Sequence, residues 1–257
     1  MTYTIAVAGK GGTGKTTLCG FMIDYLVKHK MTPVLAVDAD ANSNLNEVLG
    51  VELERTIGDI REEVNRAEMM SENPIPAGMT KSDYLNYKFA DAISEADDFD
   101  MLVMGRTQGE GCYCYVNGIL KTQLQKFSGN YKFVVVDNEA GMEHISRGIL
   151  PKVDALFLVS DCSRRGIQAV GRIAQLAMDL KLNPSVMKLI VNKVPNGELP
   201  EGIRDEIAIQ KLELAGVIPQ DDMVYDYDNA GKPTSTLPED ALSRAAMNRI
   251  MNELLNK

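Results

Sequence analysis

Tyr3-Thr-Ile-Ala-Val-Ala8 is followed directly by Gly9-Lys-Gly-Gly-Thr-Gly-Lys-Thr-Thr17, an apolar run ending in a glycine-rich turn. Gly9, Gly14, Lys15 and Thr16 meet the frame G-x-x-x-x-G-K-[ST] of a phosphate-binding loop. Glycines at 9, 11, 12 and 14 permit positive φ and keep Cβ atoms clear of an incoming phosphate. The stretch Gly11, Gly12, Thr13, Gly14, Lys15, Thr16 and Thr17 is then expected to bind a nucleotide. Its N–H groups form an anion nest backed by the positive end of the following helix. Lys15 is expected at the β- and γ-phosphates, and the Thr16 hydroxyl in the shell of a Mg²⁺ ion.

Lys10 is the less common part of the loop. With it the loop resembles the deviant pattern K-G-G-x-G-K-[ST] of the MinD-type P-loop ATPases, and the likeness extends along nearly the whole chain. In that family nucleotide is sandwiched between two subunits and the early lysine reaches the partner's phosphates. The resemblance implies an ATP-dependent homodimer in which Lys10 neutralises charge on the transferring phosphoryl group, as an arginine finger does.

Composition narrows the class. A chain of 257 residues with 45% hydrophobic and 25% charged residues is typical of one soluble α/β domain. Its net charge of −9 and the lack of any Lys/Arg block argue against nucleic-acid binding, which requires neutralising phosphates. No apolar run approaches a bilayer span and the start has no signal-peptide layout, so no membrane partner and a cytoplasmic location are expected. Four cysteines in that compartment read as thiols or metal ligands, not structural disulfides.

Short β-rich runs recur at Thr2–Ala8, Val34–Val37, Met101–Met104, Phe133–Val136, Ala155–Val159 and Leu189–Val191, with a weaker one at Leu214–Ile218. Apolar on both faces and separated by helix-length segments, they predict a parallel sheet covered on both sides, and with the phosphate loop and the MinD-type resemblance this implies a P-loop NTPase fold. It is an α/β architecture with a mostly parallel central sheet of about seven or eight strands and helices on both faces. Ligands bind such sheets beyond the carboxyl ends of the strands. One domain over 1–257 is expected, with 52–99 as a surface helical insertion: helix over Glu52–Glu72, a break at Asn73-Pro-Ile-Pro-Ala-Gly78, helix again over Tyr84–Ala96. The segment Glu239–Asn256 carries Leu242, Ala246, Ile250 and Leu254 on one helical face and is expected to pack on the core.

The second run leads into Asp38-Ala-Asp-Ala-Asn-Ser-Asn44, which resembles the family's switch I segment D-x-D-[PA]-x-x-N. The resemblance places Asp38 near the Mg²⁺ hydration shell and Asp40 where a carboxylate orients the attacking water. Capping of the next helix by Asp40 or Asn42 is the competing reading. Phe133-Val-Val-Val-Asp137 has the Walker B pattern, so Asp137 is expected to hold a Mg²⁺ water. The following Asn-Glu-Ala-Gly141 resembles switch II, with the Gly141 N–H as the γ-phosphate sensor. By the same resemblance Asn192 contacts adenine and Pro219 lies against its face. An asparagine amide offers both the donor and the acceptor that the adenine edge requires.

After the third run comes Gly105-Arg-Thr-Gln-Gly-Glu-Gly-Cys112-Tyr-Cys114-Tyr. Residues i and i+2 of an extended segment point to one side, so both sulfurs can face one metal. Two thiolates do not complete a four-coordinate zinc-like or nickel-like site. A nearby dimer axis would supply the pair twice, coupling metal binding to the ATP-bound dimer. Alone, C-x-C is a weak signal, and incidental cysteines in a loop are an equal reading.

The string from Met104 to Asn117 and the Asp137-Asn-Glu-Ala-Gly-Met-Glu-His144 string closely resemble the CooC-type accessory ATPases of carbon monoxide dehydrogenase. That resemblance implies ATP/ADP and Mg²⁺ as cofactors and Ni²⁺, with Zn²⁺ a possible substitute, at Cys112 and Cys114. The implied client is a carbon monoxide dehydrogenase or the related acetyl-CoA synthase. Two alternatives remain: an electron-transfer ATPase with a subunit-bridging iron–sulfur cluster, and a positioning ATPase acting on membrane or DNA. Cys19 and Cys162 read as small packed hydrophobes.

Overall fold

The computed structural model describes residues 1–70, 75–106, 121–122, 125–126, 128–140 and 152–255. Eight strands form one sheet: β1 (Tyr3–Gly9), β2 (Val34–Asp38), β3 (Ile93–Glu95), β4 (Phe99–Val103), β5 (Phe133–Asp137), β6 (Ala155–Asp161), β7 (Val186–Val194) and β8 (Leu214–Pro219). Their order across the sheet is β3-β4-β2-β5-β1-β6-β7-β8, and every pairing is parallel except β3 with β4. The central strand β1 thus lies between β5 and β6, which puts the Gly9 end of the chain beside Asp137 and Val159. The α/β fold with a mostly parallel sheet is the one expected.

Period-2 alternation divides the core between the two faces. Ile5 and Val7 of β1 face one cluster, with Leu18, Phe21 and Met22 of α1 (Lys15–Lys28) and Met247, Ile250 and Met251 of the last helix. Ala6 and Ala8 face the other, with Ile167, Val170 and Ala177 of the long helix that follows β6. In chain order the remaining helices are α2 (Leu45–Leu49), α3 (Ile57–Met69), α4 (Lys81–Ala90), α5 (Arg164–Asp179), α6 (Glu201–Ile209), α7 (Asp222–Asn229) and α8 (Leu242–Leu255). Each fully buried leucine, isoleucine or methionine here contributes about 1.5–3 kcal/mol relative to exposure.

Three expectations need correction. The helix expected over Tyr84–Ala96 ends at Ala90, and Ile93–Glu95 instead forms the antiparallel edge strand β3, with the Ala96 N–H donating to the Phe99 carbonyl at 3.0 Å to close the turn. Three residues carry no readable period, so the open edge of β4 decides their conformation. The segment 52–99 is also not confined to the surface: Ile57, Ile60, Phe89 and Ala92 are buried in the second cluster. In α8 the inward face turns slightly from the expected stripe. Ala246 and Ile250 are buried, joined by Met247 and Met251, while Leu242 is 61% exposed. Arg244 of α8 is buried against Asp24 of α1 and the Leu237 carbonyl, pinning the two helices together.

Candidate functional site

The turn after β1 does what its glycines allow. Gly12 and Gly14 take φ of 78° and 88°, and α1 starts at Lys15 immediately behind. The Thr13 hydroxyl and, at 3.4 Å, the Lys15 ammonium both donate to the Lys10 carbonyl, so the loop is braced internally. A cleft of about 930 Å³ opens over it, lined by Gly11, Gly12, Gly14, Lys15, Thr16, Thr17 and Asp40 among others. A second hollow of about 500 Å³ adjoins it through Gly14, Thr17 and Lys193 and runs to Pro219 and Tyr225. The structure therefore brings Pro219 and Asn192 to one end of the loop and Asp40 to the other, the layout that a base, a sugar and a phosphate chain need.

Asn192 is 7% exposed and its amide is already engaged. Nδ2 donates to the Thr13 carbonyl at 2.8 Å, and Oδ1 accepts the Lys193 N–H at 2.8 Å. Lys193 was not singled out by its sequence context. Its ammonium donates to the Gly12 carbonyl at 3.0 Å from a residue with φ of 55°. A non-glycine residue in that region costs about 1–2 kcal/mol, so this turn is held by its contacts.

Asp38 is fully buried at the end of β2. One oxygen accepts the Asp40 N–H and the other the Asn44 and Leu45 N–H groups, each at 3.0 Å. The orphan amides at the start of α2 are thus served by Asp38, while the Asp40 carboxylate accepts the local Asn42 N–H, at 2.8 Å, and stays half-buried facing the cleft. Burial raises the Asp38 carboxyl to about 6 in spite of those three bonds.

Asp137 lies directly across from Asp38 in the β2–β5 register. It is 2% exposed, and its Oδ1 has no hydrogen-bond partner among the described residues. Burial pushes its pKa up to about 7; the Thr16 hydroxyl and Lys15 pull it down, Asp38 and Asp40 push it further up. A buried carboxylate oxygen without a donor, beside the loop's threonine hydroxyl, fits a hydrated divalent cation, which would supply the missing charge. Cys19 lies beneath, fully buried, its thiol pushed well above its ordinary value by burial and then by Asp137, as suits a packed cysteine. Cys162 is half-buried against the other cluster.

Asp137 carries a pH prediction. Its folded-state value of about 7 lies above the 3.8 of an unperturbed aspartate. The folded chain therefore holds a proton there that the unfolded chain releases between those values, and metal-free stability falls as pH rises through 7. Asp137→Asn removes that falling component. Its unfolding temperature in chelator, relative to the parent, is expected to rise between about pH 5 and about pH 8. The same variant is expected to weaken Mg²⁺-nucleotide binding about 10–100-fold. A difference in unfolding temperature that is flat across the range refutes the assignment.

Gly141, Cys112 and Cys114 lie outside the described residues. Among the described residues no group of three or more His, Cys, Asp or Glu side chains could hold a metal ion, and no helix is long and apolar enough to cross a membrane.

A glycine turn braced from within, opening beside a buried aspartate at the carboxyl end of a doubly covered parallel sheet, places the chain among the P-loop nucleotide-binding proteins. Comparison with known proteins narrows the class. Residues 4–234 match the CobQ/CobB/MinD/ParA nucleotide binding domain, and the chain belongs to that family. An uncharacterized ATP-binding protein of Methanocaldococcus jannaschii is 41% identical over 253 residues, covering 98% of both chains. The carbon monoxide dehydrogenase accessory protein CooC of Rhodospirillum rubrum is 31% identical over 235 residues, 88% of this chain and 87% of that one. Among solved structures, the cell division ATPase MinD of Pyrococcus furiosus matches with a TM-score of 0.72 at 20% identity, covering 100% of this chain and 99% of that chain. At that identity the likeness concerns the fold.

Proposed function

We propose that the protein is a CooC-type ATPase. Two subunits close on ATP, take up nickel as cargo through Cys112 and Cys114 of each chain, and deliver it to the Ni–Fe–S cluster of a carbon monoxide dehydrogenase or the related acetyl-CoA synthase. The observation that carries this reading is where the cysteine segment begins. It leaves the sheet from β4, whose following residue Met104 donates its N–H to the Asp38 carbonyl at 2.8 Å. The segment that leads to the cysteines thus starts on the strand hydrogen-bonded to the one that leads to Asp40, and the 31% identity to CooC adds support.

In this reading the loop amides and Lys15 hold the phosphates, and Asp40 positions water for attack on the γ-phosphorus. Thr16 and Asp137 would hold Mg²⁺, directly and through water, with Asp38 ordering the segment beside them. That ion, when bound, neutralises charge across the β- and γ-phosphates. Gly141 is the proposed γ-phosphate sensor, and Asn192 and Pro219 border the base. Hydrolysis removes the contact that holds the subunits together and so releases the ion. Thiolate pairs also bind Zn²⁺, so discrimination rests on geometry and supply.

Native mass measurement during Ni²⁺ titration, with and without ATP, tests the proposal. About half an ion per chain, carried by dimers and promoted by ATP, is expected. One ion held by an isolated chain sinks it.

A positioning function is the second reading, favoured by the septum site-determining protein MinD of Bacillus subtilis, 25% identical over 262 residues. Against it, the apolar face of α8 is spent on the core and the net charge is −9. ATP-dependent co-sedimentation with anionic vesicles would favour MinD-like behaviour over nickel handling.

A further inference from the structure

We infer that Lys193 is a positioning residue of the nucleotide site: together with Asn192 it holds the phosphate loop by two of its backbone carbonyls, so that the loop's amides are oriented for phosphates before nucleotide arrives. The inference requires that the chain binds nucleotide, not that it handles nickel.

Two consecutive residues of β7 grip two consecutive carbonyls of the loop, Lys193 Nζ on Gly12 and Asn192 Nδ2 on Thr13. In a planar trans peptide the C=O and the next residue's N–H point in opposite directions. Drawing the Gly12 carbonyl toward β7 therefore turns the Thr13 N–H away from it, and drawing the Thr13 carbonyl does the same for the Gly14 N–H. Both amides are thereby fixed on the side of the loop opposite its grip, and the cleft is lined by Gly12, Gly14 and Lys15 of that same loop. The approach is close enough that a Cβ on Gly14 would come within 2.3 Å of Asn192 Nδ2, so position 14 must be glycine for the grip to form.

The turn that aims both side chains is local and specific. The β7–β8 register slips between Val191 and Val194, Lys193 adopts φ of 55°, and Asn192 Oδ1 accepts the Lys193 N–H. Few non-glycine residues adopt such a φ, and here it swings the lysine from the strand direction back over the loop. Lys193 also borders both the phosphate cleft and the hollow that reaches Pro219. Contacts made by a base and by the phosphates therefore bear on the same turn.

Loop amides cradle the α- and β-phosphates, which ADP and ATP share. Calorimetric titration of Lys193→Met with Mg²⁺-ADP and Mg²⁺-ATP is expected to show both weakened by about tenfold, equally. Lys193→Arg, which keeps a cationic donor, is expected to restore affinity to within about threefold. The side chain is exposed, so both variants are expected to be fully folded at the temperature of the titration, which a melt of each without nucleotide checks. Unchanged affinity in Lys193→Met overturns the inference, as does failure of the arginine to restore it. A loss about tenfold larger for ATP than for ADP also overturns it, because Lys193 would then be a direct γ-phosphate ligand.

Discussion

Lys10→Ala is expected to lower the turnover of Mg²⁺-ATP about 10³-fold while ADP affinity stays near the parental value. Lys10 follows the last residue of β1, its carbonyl held by the Thr13 hydroxyl at 2.9 Å. Its side chain is exposed and borders an outer groove of about 410 Å³ beside Ala140, Arg172, Ile173 and Leu176, whereas Lys15 lines the phosphate cleft. A lysine aimed out of its own site leaves ADP binding intact when removed, but a partner's γ-phosphate loses a cation in the transition state. Mixing supplies the decisive measurement. In a dimer of one Lys10→Ala chain and one Asp40→Ala chain, the first chain's site keeps its own aspartate and receives lysine from across the axis. An equimolar mixture should therefore regain about a quarter of parental turnover, because half the dimers are mixed and each has one competent site. If the mixture is as inactive as its components, Lys10 does not act across the dimer.

Replacing both Cys112 and Cys114 by alanine is expected to remove stoichiometric nickel binding altogether and to leave ATP binding unchanged. In the proposed four-sulfur site each chain's pair would be half of the coordination, and no other cluster among the described residues could take its place. Because nucleotide and ion would favour one dimer, each should raise the affinity for the other by the same factor. The double variant should lose that reciprocity while its ATP titration overlays the parent's without nickel. Metal content after gel filtration gives the answer, and nickel retained at the parental level refutes the assignment of the cargo site.

How legible the molecule is from its residues differs element by element. Phe133–Asp137 reads as a buried strand ending in an acid because five consecutive positions carry the pattern, whereas its place beside β1 is a fact of the folded sheet. Ile93–Glu95 is unreadable because three residues become a strand only through pairing with Met101 and its neighbours. Asp38 and Asp40 are both visible as acids, and resemblance alone assigns the first to the Mg²⁺ hydration shell and the second to the attacking water; the spacing does not show that both Asp38 oxygens are taken by backbone amides. Burial and three backbone donors make the first an organiser, while exposure to the cleft leaves the second available for chemistry.

The residues alone determine the phosphate loop, since glycine spacing and a lysine–threonine pair express their chemistry within nine positions. They likewise determine the alternation of buried strands and helices, which is a local periodicity. Tertiary structure alone decides how the loop is held: Lys193 meets Gly12 across 181 positions of chain, and only the neighbourhood of β1, β6 and β7 in the folded sheet brings that ammonium to that carbonyl. A hydrogen bond between residues so far apart leaves no period, spacing or composition behind it, because its geometry is supplied by the strands between them.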